Sequence, residues 1–243
     1  MALYRHPQET LLRYASMMCS SKIRYVAIAL TVLIASVTVK TSAQTSVPAT
    51  MNAHEVIQKM SERNRPLHSF AAQVEVKGHM TTFPFLGAKL DGKYVFKQPN
   101  SYQVIFGHDT RYTDAIKNLL VEIATPSSWE DARNVAVDPQ PHTLDGHDVI
   151  QLRLTARSSD DKLVYALASV DSATYDLDQM EWHYQDGSSV LVTQTYSTIG
   201  QYRVVASQHA YLQFPGIHAV ADARYTDFET NVNVDNSALA TSK

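Results

Sequence analysis

Cysteine is all but missing from this 243-residue chain, with Cys19 its single representative. One thiol cannot build a disulfide framework or a multi-cysteine zinc site. Glycine and proline are sparse, at 8 and 9 residues, which excludes a collagen-like or linker-rich chain. Nor is there an excess of positive charge: 21 Lys and Arg against 24 Asp and Glu give a net of −3. Without that excess the chain lacks the electrostatic footprint of a nucleic-acid binder. Catalytic signatures are missing as well. Ser158-Ser159 and Ser188-Ser189 stand in turn-like segments without the Gly-x-Ser-x-Gly elbow of an activated nucleophile. None of the ten histidines forms the HExxH pair that would set two imidazoles on one helix face for zinc. His142 and His147 share a loop with Asp145, while His183, His209 and His218 fall on separate strands, so they read as surface histidines. Asp160-Asp161 and Asp176/Asp178 read as solvated turn ends. The residues therefore call for no catalytic group, metal or cofactor.

What is there begins with an apolar run. Residues 25–39 contain no charge over fifteen positions; Lys22 and Arg24 precede them, and Thr41-Ser42-Ala43 follows. A basic flank, a short apolar stretch and small residues are the layout of a secretory signal. Spanning a bilayer takes about 20 apolar residues, so the run predicts cleavage after Ala43 in preference to a retained anchor. Met17 or Met18 is an alternative start. Cleavage would remove five basic residues and one acid, leaving 16 basic and 23 acidic side chains and a net of −7. The exported remainder would hold no cysteine for lipid attachment. The expected organisation is a signal over residues 1–43, a flexible leader over 44–50 and one domain over 51–243, exported and soluble.

The domain reads as one helix, then strands. Asn52 and Glu55 stand at capping-box spacing, and Val56, Ile57 and Met60 follow at helical spacing, predicting a helix of about four turns up to Arg65-Pro66. From Phe70 the pattern changes to strict alternation. Phe70, Ala72, Val74 and Val76 share one face; Leu90, Gly92, Tyr94 and Phe96 share another; Tyr102, Val104 and Phe106 continue after a Pro99-Asn100 turn. A period of two with one polar side is the mark of antiparallel strands with one wet face. Ile116, Leu119, Leu120 and Ile123 stand at i, i+3, i+4 and i+7, a second amphipathic helix that Pro126 ends. Ser127-Ser128-Trp129-Glu130 opens a short third helix. Strands resume near Val135, with turns at Asp145-Gly146, Asp186-Gly187, Ile199-Gly200 and Pro215-Gly216.

The segment Leu67-His-Ser-Phe70-Ala with its strand, and the run Gly92-Lys-Tyr-Val-Phe-Lys-Gln-Pro-Asn-Ser-Tyr102, resemble the LolA-like family of periplasmic lipoprotein carriers. The likeness is clearest over residues 51–106. Across 135–235 it is one of layout, with hairpins, a strand end at Val170-Asp171 and a late Asp222-Ala-Arg-Tyr-Thr-Asp227 strand. The resemblance implies a mainly β fold with some α: an incomplete antiparallel barrel of about ten or eleven strands wrapped over two or three lid helices. It implies a carrier that takes acyl chains of lipids or lipidated proteins from an inner-membrane donor towards an outer-membrane acceptor. Such a carrier would act as a monomer and without chemistry. A periplasmic regulator of RseB type, sensing lipid or lipoprotein through the same cavity, is the alternative within the fold. An extracytoplasmic hydrolase is the alternative of another class.

The candidate cavity wall is Val74, Val76, Leu90, Tyr94 and Phe96 on the first two strands. Tyr102, Val104 and Phe106 on the third, Leu119 and Leu120 on the second helix, and Trp182 late in the chain complete it. From the alternation alone a dry core is the favoured reading, and it is the resemblance that favours a cavity. Two amphipathic helices are, however, little cover for about ten strands, and an under-filled barrel leaves room for an apolar ligand. Within the resemblance one position departs. Where the carriers read Lys-Arg-Pro-Asn, with an arginine that latches the lid, this chain has Gln98. Glutamine keeps a donor and an acceptor and loses the charge.

Overall fold

The structure, a computed structural model, describes residues 51–83, 85–98, 101–107, 113–158 and 162–234; within these, the side chains of 114 and 115 are excluded. The apolar run 25–39, the leader 44–50, the Pro99-Asn100 turn, Ser159 and the Asp160-Asp161 pair lie outside the described residues. Among the described residues no helix is long and apolar enough to cross a membrane.

Helix α1 runs from Ala53 to Glu62. Its capping box is complete: Glu55 N donates to Asn52 Oδ1 at 2.9 Å, and Asn52 N donates to Glu55 Oε2 at 3.3 Å. The helix is shorter than the spacing predicts. Pro66 disfavours a helical Arg65, and the chain turns instead, with Arg65 N donating to Glu62 O at 2.9 Å and Leu67 N to Asn64 O at 2.8 Å.

Three strands come next, β1 (Ser69–Met80), β2 (Gly87–Lys97) and β3 (Ser101–Phe106). Helix α2 spans Thr113–Ala124, a 3-10 turn Pro126–Ser128, and the short helix α3 Trp129–Ala132. Eight further strands follow among the described residues: β4 (Arg133–Val137), β5 (His142–Leu144), β6 (His147–Ala156), β7 (Leu163–Asp171), β8 (Leu177–Tyr184), β9 (Ser189–Ile199), β10 (Tyr202–Phe214) and β11 (Ile217–Thr230). They form one antiparallel sheet in the order β3-β2-β1-β11-β10-β9-β8-β7-β6-β4, with β5 paired to β6 outside this path. The first strand thus meets the last inside the sheet, two strands from one end, while β3 and β4 end the path. The barrel is incomplete.

The alternation is visible in the burial. Phe70, Ala72, Val74 and Val76 are buried and Gln73 and Lys77 exposed. The hairpin residues Asp145 and Gly146 both have positive φ, 49° and 86°, as a tight two-residue turn matching strand twist requires. Two of the sheet's register irregularities lie on β11 and β10. The β1–β11 register shifts between Ala71 and Gln73, opposite a stretch of β11 where Asp227 has φ 52°. The β9–β10 register shifts between Val205 and Ser207. Bulges of this kind bend a strand and change which side chains face inward.

Apolar side chains gather in two clusters rather than one. The first joins Val56, Ile57 and Met60 of α1 to Leu152, Leu154, Met180 and Trp182 on β6 and β8. The second joins Phe70, Val74, Tyr94 and Phe96 to Val204 and Tyr225. Helix α2 bridges them, sending Ile123 to the first and Leu120 to the second.

Candidate functional site

Between the two clusters lies a cavity of about 630 Å³, within the size range of small-molecule sites. Met60, Ile123 and Leu177 of the first cluster and Leu67, Phe70 and Val204 of the second border it. The exposed residues Ser61, Glu62, Arg65, His68 and Gln98 mark its mouth, at the turn after α1.

The wall is aromatic. Phe70 packs on Tyr94 and Phe96 with ring centroids 5.4 and 5.5 Å apart, Tyr94 lies 5.2 Å from Tyr225, and Phe96 lies 4.6 Å from Tyr102. These are tilted arrangements of the kind that aromatic quadrupoles favour. The bulge in β11 brings Tyr225 and Phe228 to the same cavity although they are three residues apart. Burial raises all four phenols above their ordinary value, those of Tyr102 and Tyr196 to about 12, and those of Tyr94 and Tyr225 in the same direction.

A polar chain crosses the inner face beside this wall. Tyr225 donates to Gln208 Oε1 at 2.6 Å, Gln208 Nε2 donates to Gln194 Oε1 at 2.7 Å, and Gln194 Nε2 donates to Leu177 O at 2.7 Å. Four strands, β11 to β8, are linked in series. Across the register shift after Val205, Gln208 stands opposite Gln194, while Val205 stands opposite Tyr196.

At the α1 end of the cavity stands an ion cluster. Asp176, 1% exposed, accepts from Arg63 on one carboxylate oxygen and from Nε of Arg203 on the other. Both guanidiniums lie over the Tyr196 ring, 4.9 and 5.4 Å from its centroid. Asn64 fixes the arrangement, accepting from Arg203 N at 3.1 Å and donating to Arg203 O at 2.5 Å. The sequence reading of Asp176 as a solvated turn end is corrected: it is the buried centre of an ion triad.

Of the sequence-predicted wall, Tyr94, Phe96 and Tyr102 border the cavity, and so does Gln98. Val74, Val76, Leu90, Val104, Phe106 and Leu120 are packed within the second cluster instead, and Trp182 and Leu119 belong to the first. Alternation places the strand residues among them on the inner face, but only the segment of that face between the clusters is left uncovered. Gln98 Nε2 donates to Arg65 O at 2.8 Å and its Oε1 lies 3.1 Å from His68 Nδ1. Its grip is on the turn after α1. Arg63, Arg203, Tyr196, Gln194 and Gln208 escape sequence reasoning, since periodicity marks none of them as facing a cavity.

The histidines whose partners are described pair with carboxylates or, for His68, with Gln98, and none with a hydroxyl nucleophile. His54 lies 2.8 Å from Glu130, His183 2.8 Å from Glu181 and His209 2.6 Å from Asp222. His147 Nε2 stands 2.9 Å from Asp178 and 3.7 Å from Asp171, so its partners are these two rather than the loop neighbours His142 and Asp145. The three ligand atoms lie within 4.8 Å of one another, a spacing a cation could use. The hydrogen bond to Asp178 raises the His147 value, with Asp171 and Asp145 adding to it. Burial raises the Asp178 carboxyl, and the bond to His147 only partly offsets this. For Asp171, burial acts upward and is outweighed by donors from Thr174 and Ala173, which hold it below the ordinary value. None of these three residues borders the cavity.

No protein-family model and no curated protein matches the chain. Solved structures do. An outer membrane lipoprotein-sorting protein domain from Vibrio parahaemolyticus superposes with a TM-score of 0.59 at 11% identity, covering 78% of this chain and 97% of that one. A LolA superfamily protein from Nitrosomonas europaea gives 0.56 at 12% identity, over 79% and 99%. A DUF1329 family protein from Desulfovibrio piger gives 0.57 at 8% identity, over 78% and 96%. At these identities the likeness is one of fold. The incomplete barrel expected from the sequence is the one these proteins share.

Proposed function

We propose that this chain is a periplasmic carrier that holds an acyl chain, of a lipid or a lipidated protein, in the cavity between its two apolar clusters and performs no chemistry. The observation that carries this reading is that the packed aromatic wall of Phe70, Tyr94, Phe96 and Tyr102 borders an open cavity. Burying one methylene in such a site contributes about 0.8 kcal/mol, so a chain of modest length is held in water. The contacts are non-directional, and release to a receiver then needs only a higher affinity there. The expected route runs from an inner-membrane donor towards an outer-membrane acceptor, in keeping with the sorting function named for one protein of the same fold.

The test is an environment-sensitive fluorophore titrated into the folded protein and competed with fatty acid or phospholipid. Saturable binding with full displacement is expected. A folded protein that gives no saturable signal would contradict the reading. Transfer of a labelled acyl ligand from loaded protein to acceptor vesicles then tests delivery.

A further inference from the structure

The cavity is not apolar throughout. Its α1 end carries the guanidiniums of Arg63 and Arg203, and the exposed Arg65 borders the same mouth. Facing these three cations are two carboxylates, Asp176 within the triad and Glu62 at the rim. The local balance is one positive charge, on a chain whose own net is −3. We infer that the site takes an acyl chain ending in an oxyanion, a carboxylate or a phosphate, with the headgroup against Arg63 and Arg203 and the chain along the aromatic wall. This rests on the acyl-binding reading above and adds the headgroup to it.

Three features make this a built site. Asp176 spends its two oxygens on two different arginines, so neither guanidinium is consumed by a bidentate pair. Both arginine side chains border the cavity and stay partly exposed, 22% for Arg63 and 42% for Arg203. Guanidinium donors in contact with solvent are open to an entering acceptor. Finally, both guanidiniums are fixed before any ligand arrives, by Asp176, by the Tyr196 ring and by the two Asn64 contacts to the Arg203 backbone. Preorganised donors lose little freedom on binding. The planar fork of arginine suits carboxylate and phosphate oxygens alike.

The experiment is a headgroup series at constant chain length, read by displacement of the fluorophore from the unmodified protein: dodecanoate, dodecyl phosphate, dodecanol and dodecyltrimethylammonium. The two anions should displace at concentrations about tenfold or more below those of the alcohol and the cation, the size of one charge-assisted contact. Added salt should narrow the gap. In the Arg203→Gln variant, checked for folding by circular dichroism, the ratio of anion to alcohol affinity should fall towards one. A preference for dodecanoate alone or dodecyl phosphate alone identifies which headgroup the site serves and supports the inference. Equal displacement by all four overturns it while leaving the acyl-binding reading in place. No displacement by any of them would remove both. The series on the unmodified protein decides the matter even if the variant does not fold.

Discussion

The side-chain amide of Gln98 donates to the carbonyl oxygen of Arg65 at 2.8 Å, and through that bond the end of β2 holds the turn that frames the cavity mouth. The backbone adds a parallel tie, Gln98 N to His68 O at 2.9 Å. The side-chain contact is neutral and exposed, so it contributes at the low end of about 0.5–1.5 kcal/mol. Gln98→Ala should therefore leave the urea midpoint nearly unchanged and speed entry of a fluorescent acyl ligand a few-fold in stopped-flow. Unaltered entry rates would show that position 98 does not latch the mouth.

Trp182 and Tyr94 separate core from cavity. Trp182 is 1% exposed among Leu152, Leu154 and Met180, and Trp182→Ala should cost about 3–5 kcal/mol. Ligand affinity of the remaining folded protein should hold. Tyr94→Ala alters the cavity wall itself and should change affinity. Equal affinity losses in the two variants, measured by titration under conditions where both are folded, would contradict this division.

Gly92 is a packing glycine. A Cβ there would come within 2.4 Å of the Ile105 carbonyl oxygen and 2.9 Å of Phe106 Cδ1, and backbone cannot yield as a side chain can. Overpacking of this kind costs about 1–3 kcal/mol, so Gly92→Ala should destabilise the protein by that amount in chemical unfolding. A midpoint equal to that of the unmodified protein would show that β3 relaxes freely.

The strand around this glycine separates what the sequence makes legible from what it hides. The alternation that places Leu90, Gly92, Tyr94 and Phe96 on one face is local and can be read directly. So can the capping box at Asn52 and the turns at Asp145-Gly146 and Pro215-Gly216. The resemblance over residues 51–106 supplies the incomplete barrel. The cavity lining is less accessible, because it depends on contacts between elements distant in the chain. Leu90 and Tyr94 carry the same signal in sequence and belong to the same cluster, yet only Tyr94 borders the cavity. The bulge that turns Phe228 inward leaves no mark in a periodic pattern. Asp176 reads like any acid after a turn until Arg63, 113 residues away in sequence, is placed against it.

The His147–Asp178 pair predicts a pH dependence. The folded-state value of His147 is raised, so the native protein binds its proton more tightly than the unfolded chain does. The stabilisation is fully present below the ordinary histidine value of about 6.5 and is lost as pH rises through the higher folded value. An NMR titration should place the His147 midpoint above 6.5, the unperturbed value, and Asp178→Asn should move it back down. A midpoint indifferent to Asp178→Asn would mean that Asp171 and Asp145 set it instead.

The central claim, that an acyl chain lies in the gap between the two apolar clusters, is tested most directly by intermolecular NOEs from dodecanol to isotope-labelled protein. The account predicts saturable binding with NOEs from the chain methylenes to the rings of Phe70, Tyr94, Phe96 and Tyr102, and none to Trp182. NOEs confined to the exposed Phe83, Phe85 and Leu86 at the β1–β2 turn, or none that saturate, would contradict it.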